Sequence, residues 1–229
     1  MSGICENYKA IMQRIEAACE RSGRNPSEVK LVAVSKTVGN DEINEAIKCG
    51  CTTFGENRVQ DFLEKYDKFR NRAEFHMIGH LQTNKVRKIV GKAKLIHSVD
   101  SMRLLEEIEH RAGLLGVVQD ILIQVDVSGE ESKFGASYED MTAMLKANED
   151  NSHVRIKGLM TMAPFADDPE DIRWVFKKLH DVSVDIGSKT IYNTSMEYTS
   201  MGMTNDFEIA VEEGAGIVRV GSGIFRNTH

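Results

Sequence analysis

Eight short runs rich in β-branched residues recur along the chain, with stretches of helical spacing between them. The runs are "LVAVSKT" (31–37), "TTFGEN" (52–57), "EFHMIGH" (74–80), "KLIHSVD" (94–100), "DILIQVDVS" (120–128), "RIKGLMTMAP" (155–164), "YTSMGM" (198–203) and "GIVRVGSGIF" (216–225). They show little strict polar alternation, as expected of strands covered on both faces. Strands that alternate with helices pair in parallel, and eight such units suggest closure into a (β/α)8 barrel. The expected fold class is therefore α/β, with one TIM-type barrel. A doubly wound open sheet is the alternative, but no dinucleotide fingerprint stands at the first strand-to-helix turn.

The intervening segments read as helices. In "NDEINEAIKCG" (40–50), Asn40 or Asp41 is the expected cap and Gly50 the stop. "QTNKVRKIVG" (82–91) is the expected helix between the third and fourth strands. At the N-terminus, Ile4, Tyr8, Ile11, Ile15 and Cys19 recur every three or four residues, one stripe of an extra amphipathic helix. The last strand lacks a long helix of its own, and this extra helix is expected to cover it. No linker or composition shift divides the chain, so residues 1–229 are expected to form a single domain.

Apolar residues make up 41% of the chain and the formal charge is −6, which argues against non-specific binding to nucleic acid or a membrane surface. The charged N-terminus has no signal-peptide core, and no run approaches the ~20 apolar residues of a membrane helix. Cys5, Cys19, Cys49 and Cys51 make no disulfide framework at this length, so a cytoplasmic protein with reduced thiols is expected.

In a parallel barrel the reactive groups come from the C-terminal ends of strands. Those positions hold Lys36, Glu56 with Asn57, His80, Asp100, Asp126 with Ser128, Met162, Ser200 with Gly202, and Arg219 with Gly221 and Ser222. Val32, Val34 and Lys36 share a strand face. If that face lines the barrel, Lys36 enters a partly apolar mouth, where burial would favour the neutral amine that attacks aldehydes. A strand-end lysine that snorkels to water, or pairs with Glu56, is the plainer alternative. Late in the chain, "SMGMTNDFEIA" (200–210) and "RVGSG" (219–223) offer hydroxyls and close backbone approach to an anion, where barrels of this type bind phosphate. Each could equally be a glycine-rich turn. With a lysine on the first strand they describe a site for an aldehyde that carries a phosphate, and pyridoxal 5′-phosphate is such a molecule.

Other features weigh less. His76 and His80 are four apart, but on a strand that spacing does not bring two rings to one ion, so no metal site is expected. "KVRK" (85–88) reads as a solvated basic face, and the methionines around "LMTM" (159–162) read as packing.

The motifs "LVAVSKT", "FGENRVQ", "FHMIGHLQTNK", "HSVDS", "VDVSGEESKFG", "GLMTMAP", "SMGM" with "DFEIAVEEGA", and "VRVGSGIF" run in order over nearly the whole chain. In them the chain resembles the pyridoxal phosphate homeostasis proteins, the alanine-racemase-like family co-transcribed with proline synthetase. The resemblance implies a barrel like the N-terminal domain of alanine racemase and pyridoxal 5′-phosphate (PLP) held as a Schiff base, an internal aldimine on Lys36. It further implies that Ser200, Gly221 and Ser222 hold the phosphate with Gly202 beside them, that Arg219 faces the pyridine nitrogen, and that Asn57 lies beside the ring. Ser222 stands where the family often has threonine, Gly223 where alanine is common, and Arg226 where glycine is usual.

The family's role is to bind, buffer and deliver the cofactor in the cytosol, with no established reaction, and PLP-dependent apo-enzymes are the recipients this implies. An arginine at the ring nitrogen disfavours protonation there and weakens the ring as an electron sink. Amino-acid racemase is the enzymatic alternative. It would need a second proton donor, and of Tyr8, Tyr66, Tyr138, Tyr192 and Tyr198 only Tyr198 is expected near the mouth. A metabolite sensor that signals through partner proteins is a third possibility.

Overall fold

Eight parallel strands close into a barrel, each bonded to its neighbour in sequence and the last to the first. They are β1 (Lys30–Val34), β2 (Thr53–Glu56), β3 (Glu74–Met77), β4 (Leu95–Val99), β5 (Gln119–Gln124), β6 (Val154–Met160), β7 (Tyr198–Ser200) and β8 (Ile217–Val220). The structure, a computed structural model, describes residues 3–129, 135–189 and 194–226. Part of the "VDVSGEESKFG" motif (130–134) and Tyr192 lie outside the described residues. The helices are α1 (Gly3–Ser22), α2 (Asn40–Lys48), α3 (Val59–Phe69), α4 (Met102–Leu115), α5 (Tyr138–Ala147), α6 (Arg173–Ser188), α7 (Phe207–Glu212) and α8 (Ser222–Phe225). This is the expected (β/α)8 barrel with an extra N-terminal helix.

Side chains alternate along each strand. Val32, Leu95, Leu122, Met160 and Ile217 meet inside the barrel, while Leu31, Ala33, Ile96, Ile121, Ile123 and Val218 belong to the core under the helices. The face of β1 that leads to Lys36 is therefore the interior face. Closure sets Lys30 against Ile217 and Val32 against Arg219. Aromatic packing fixes the start of α3: Phe54 stacks on Phe75 at 5.7 Å and Phe62 meets Phe75 edge-on at 6.1 Å. Burial of each such ring is worth about 1.5–3 kcal/mol.

α1 fills the place of the missing last helix, packed against α7, α8 and α2. Arg14 pairs with Glu208 at 2.7 Å and Arg21 with Glu212 at 2.6 Å, both on α7. The Asn7 amide donates to the carbonyls of Ile224 and Arg226, at 3.1 and 3.2 Å, and so fixes the end of α8.

Three expectations are corrected. Gly39, not Asn40 or Asp41, is the N-cap of α2. The segment after β3 forms only a short 3₁₀ helix, Thr83–Lys88. Within it Val86 alone is buried, so it has no apolar stripe to seat a longer helix. The thiols are not all free: Cys5 and Cys49 are joined, with Cα atoms 5.4 Å apart, and tie the start of α1 to the C-cap of α2. Cys19 and Cys51 are buried thiols, and burial pushes Cys51 up to about 12.

Candidate functional site

A cavity of about 570 Å³ opens at the C-terminal ends of the strands, with Lys36, Asn57, Met162, Arg219, Gly221 and Ser222 in its wall. β1 ends at Val34, so Lys36 lies two residues beyond the strand and is exposed. The mouth around it is partly apolar, as expected, with Val34, Ile78 and Met162 in the wall, but the side chain is not buried. Nor does it pair with Glu56. That carboxylate is fully buried and accepts from Lys65 at 2.7 Å and from the Ser35 hydroxyl at 2.5 Å. Burial pushes the Glu56 carboxyl up, against the pull of its bonds to Lys65 and Ser35.

The far wall is built by the turns after β7 and β8. Gly202 holds φ +86°, and a Cβ there would sit 2.6 Å from the Ala210 Cβ and 2.9 Å from the Phe207 Cα. Only glycine lets the chain turn so close to α7. Its carbonyl accepts from the Arg219 amide at 3.0 Å and so joins the two turns. Asp206 accepts from the Met203 amide. At Gly221 a Cβ would stand 3.1 Å from the Val34 carbonyl oxygen, so the turn after β8 presses against the end of β1. The Ser222 hydroxyl is 3.2 Å from the Thr204 hydroxyl. Two hydroxyls from different turns thus stand together on the cavity wall.

Ser200 and Gly202 do not line the cavity. Ser200 is fully buried, and its hydroxyl accepts from the Arg219 guanidinium at 2.6 Å and lies 2.8 Å from His97 Nδ1. Arg219 also donates to the Thr161 carbonyl at 2.9 Å. Burial lowers this guanidinium to about 10, with Asp206 opposing, so it remains a cation at neutral pH. His97 Nε2 lies 2.9 Å from His76 Nδ1. Burial holds His76 down to about 3 and His97 well below its ordinary value.

Both rings are therefore neutral, and the bonds take a direction. Arg219 donates to Ser200, Ser200 to His97 Nδ1, and His97 to His76, so that within this relay His76 Nε2 alone is buried without a partner among the described residues. The reverse order would also leave the Ser200 proton unplaced. Residues from β3, β4 and β7, with Thr161 just after β6, thus lock the arginine of β8 in place.

Sequence reasoning missed Thr204, His97 and Lys65. Thr204 sits within the motif already singled out, a hydroxyl directly before Asn205 and Asp206. His97 and Lys65 have no local signal, because they act through partners 103 and 9 residues away. Tyr198, expected near the mouth, is the first residue of β7 and packs at the other end of the barrel, with the Lys30 ammonium 6.0 Å from its ring centre. Among the described residues no tyrosine lines the cavity. His80 meets Asp100 at 3.2 Å, not His76.

Residues 7–228 match the family described as "Alanine racemase, N-terminal domain". The chain is 44% identical over 222 residues to the pyridoxal phosphate homeostasis protein of Aquifex aeolicus, with 96% of each chain covered. Among solved structures it is similar to PipY of Synechococcus elongatus with PLP bound, at 32% identity and TM-score 0.85, over 97% of this chain and 100% of that one. Alanine racemase of Corynebacterium glutamicum shares the fold, at 14% identity and TM-score 0.69, but the match covers only 60% of its chain. On this evidence the chain belongs to the pyridoxal phosphate homeostasis protein family, built on the barrel of the alanine racemase N-terminal domain.

Proposed function

We propose that this chain binds pyridoxal 5′-phosphate in the barrel cavity, anchors it through Lys36, and holds and passes on the cofactor rather than turning over an amino acid. The observation that carries this is the meeting of Lys36, Arg219, Gly221 and Ser222 in one cavity although they stand at opposite ends of the sequence. The cofactor would supply an electrophilic aldehyde carbon; everything else is done by the protein. Ser222 and Thr204 offer hydroxyls to the phosphate, and the close-packed turn at Gly221 offers backbone N–H groups. In this assignment Thr204 takes the part expected of Ser200, which instead orients Arg219 beneath the site. Gly202 shapes the turn. Asn57 stands on the cavity wall and would lie beside the ring.

Arg219 is fixed by Ser200 and the Thr161 carbonyl, so its charge would meet the ring nitrogen without reorganisation. A cation held there disfavours a proton on that nitrogen and favours holding over carbanion chemistry. Similarity to homeostasis proteins over nearly the full chain supports the same reading. Recipient PLP-dependent apo-enzymes and a cytoplasmic setting belong to the proposal; among the described residues no helix is long and apolar enough to cross a membrane. Steady-state assays of the cofactor-loaded chain with D- and L-amino acids test it. Only background interconversion is expected. Sustained turnover that is lost in Lys36→Ala would replace the holding role with racemase activity.

A further inference from the structure

A second cleft, of about 520 Å³, shares Asn57 with the first and lies between α3 and the Thr83–Lys88 3₁₀ helix. One wall is cationic. Lys85 and Lys88 are three apart, and in a 3₁₀ helix that spacing puts both on the same face. The short helix that replaced the expected α-helix thus aims two ammonium groups into one concavity. Arg58, the N-cap of α3, adds a guanidinium, and His80, held by Asp100 at 3.2 Å, adds an imidazole. The α3 wall carries an apolar strip, Val59 and Leu63 one turn apart, beside the polar Gln60.

Among the described residues no carboxylate lines the cleft, although Asp100 stands behind His80 and acidic residues outnumber basic ones 35 to 29 in the chain. Arg58, Lys85 and Lys88 form no ion pair among the described residues. Cations gathered in a concavity repel one another and focus a positive potential. An anion relieves both.

We propose that this cleft binds a phosphorylated small molecule with an apolar or aromatic body, its phosphate against Lys85, Lys88 and Arg58 and its body on Val59 and Leu63. Such a site is distinct from the cradle at Ser222 and stands whether or not the barrel cavity takes PLP. The size of the cleft suits a ligand of roughly vitamin or nucleotide dimensions, since small-molecule pockets run to about 300–1,000 Å³.

Phenyl phosphate titrated into the full chain, followed by amide NMR, tests this site by site. Saturable shifts are expected at residues 58–63 and 83–88, with inorganic phosphate binding there more weakly because it lacks the apolar body. In Lys85→Gln/Lys88→Gln, apparent affinity read at those residues should fall about tenfold, the effect of two partly exposed charge contacts. Shifts around Gly221 and Ser222 should not change with that variant. Shifts confined to residues 219–223, or cleft shifts unaltered in the double variant, would overturn the proposal. Tighter binding of a tetraglutamate peptide than of phenyl phosphate would also overturn it, in favour of an acidic protein segment.

Discussion

Acid should unfold this protein through the two histidines beneath the site. His76 and His97 are neutral in the folded barrel because burial disfavours their charged forms. In the unfolded chain each takes up a proton near pH 6.5. With folded values depressed, the stability they protect is complete above that pH and is lost as the pH falls towards the folded values. For His76 the window runs from 6.5 to about 3. Well inside it, each histidine costs about 1.4 kcal/mol per pH unit. Between pH 7 and pH 4, His76 alone removes about 3 kcal/mol, a large part of the roughly 5–15 kcal/mol that stabilises a typical domain. Glu56 and Asp206, whose carboxyls burial pushes up, act in the opposite sense. The variant His76→Phe isolates the effect. It fills a similar space, lowers stability at pH 7 by leaving His97 without its partner, and removes one titrating group. Urea unfolding followed by circular dichroism at half-unit steps from pH 7 to pH 4.5 measures the slope. The slope of stability against pH should be shallower in His76→Phe by about 1.4 kcal/mol per unit below pH 6. Equal slopes in the two proteins would refute the buried, neutral assignment.

Other perturbations have equally definite outcomes. Reduction of Cys5–Cys49, which spans 44 residues, should cost up to about 4 kcal/mol by loop entropy, seen as a lower urea midpoint with dithiothreitol; an unchanged midpoint would mean that the link does not form in solution. Lys65→Met leaves the Glu56 carboxyl buried without its cation and should destabilise by about 3–5 kcal/mol, while Lys65→Met/Glu56→Leu should recover most of that loss in thermal melts. A double variant as unstable as the single one would contradict this. Arg219→Glu should shift the absorption of the bound cofactor by favouring a proton on the ring nitrogen; an unaltered spectrum would move Arg219 away from the ring.

The barrel was legible because its strands are covered on both faces and stand out as β-branched runs such as "LVAVS" and "ILIQV". The face of β1 that carries Val32 towards Lys36 followed from alternation alone. Depth was not legible. Ser200 shares its face with Tyr198, which settles that it points inward but not that it stops below the cavity, where Arg219 and His97 reach it. Nor could local pattern show that Lys36 clears the strand end and meets solvent. "QTNKVRKIVG" has good helix-forming residues, yet tertiary packing asked only for one buried valine, and a 3₁₀ turn was enough. The Cys5–Cys49 pairing depends on how α1 crosses to α2, a relation between segments that neither contains.

The central claim is that Lys36 is the amine that meets the cofactor at the barrel mouth. Its most direct test is borohydride reduction of the PLP-loaded chain, followed by mass spectrometry of the labelled peptide. The account predicts one pyridoxyl group on the peptide containing Lys36, and no label in Lys36→Ala, which should fold normally because the side chain is exposed. Stoichiometric label on any other lysine, or undiminished label in that variant, would contradict it.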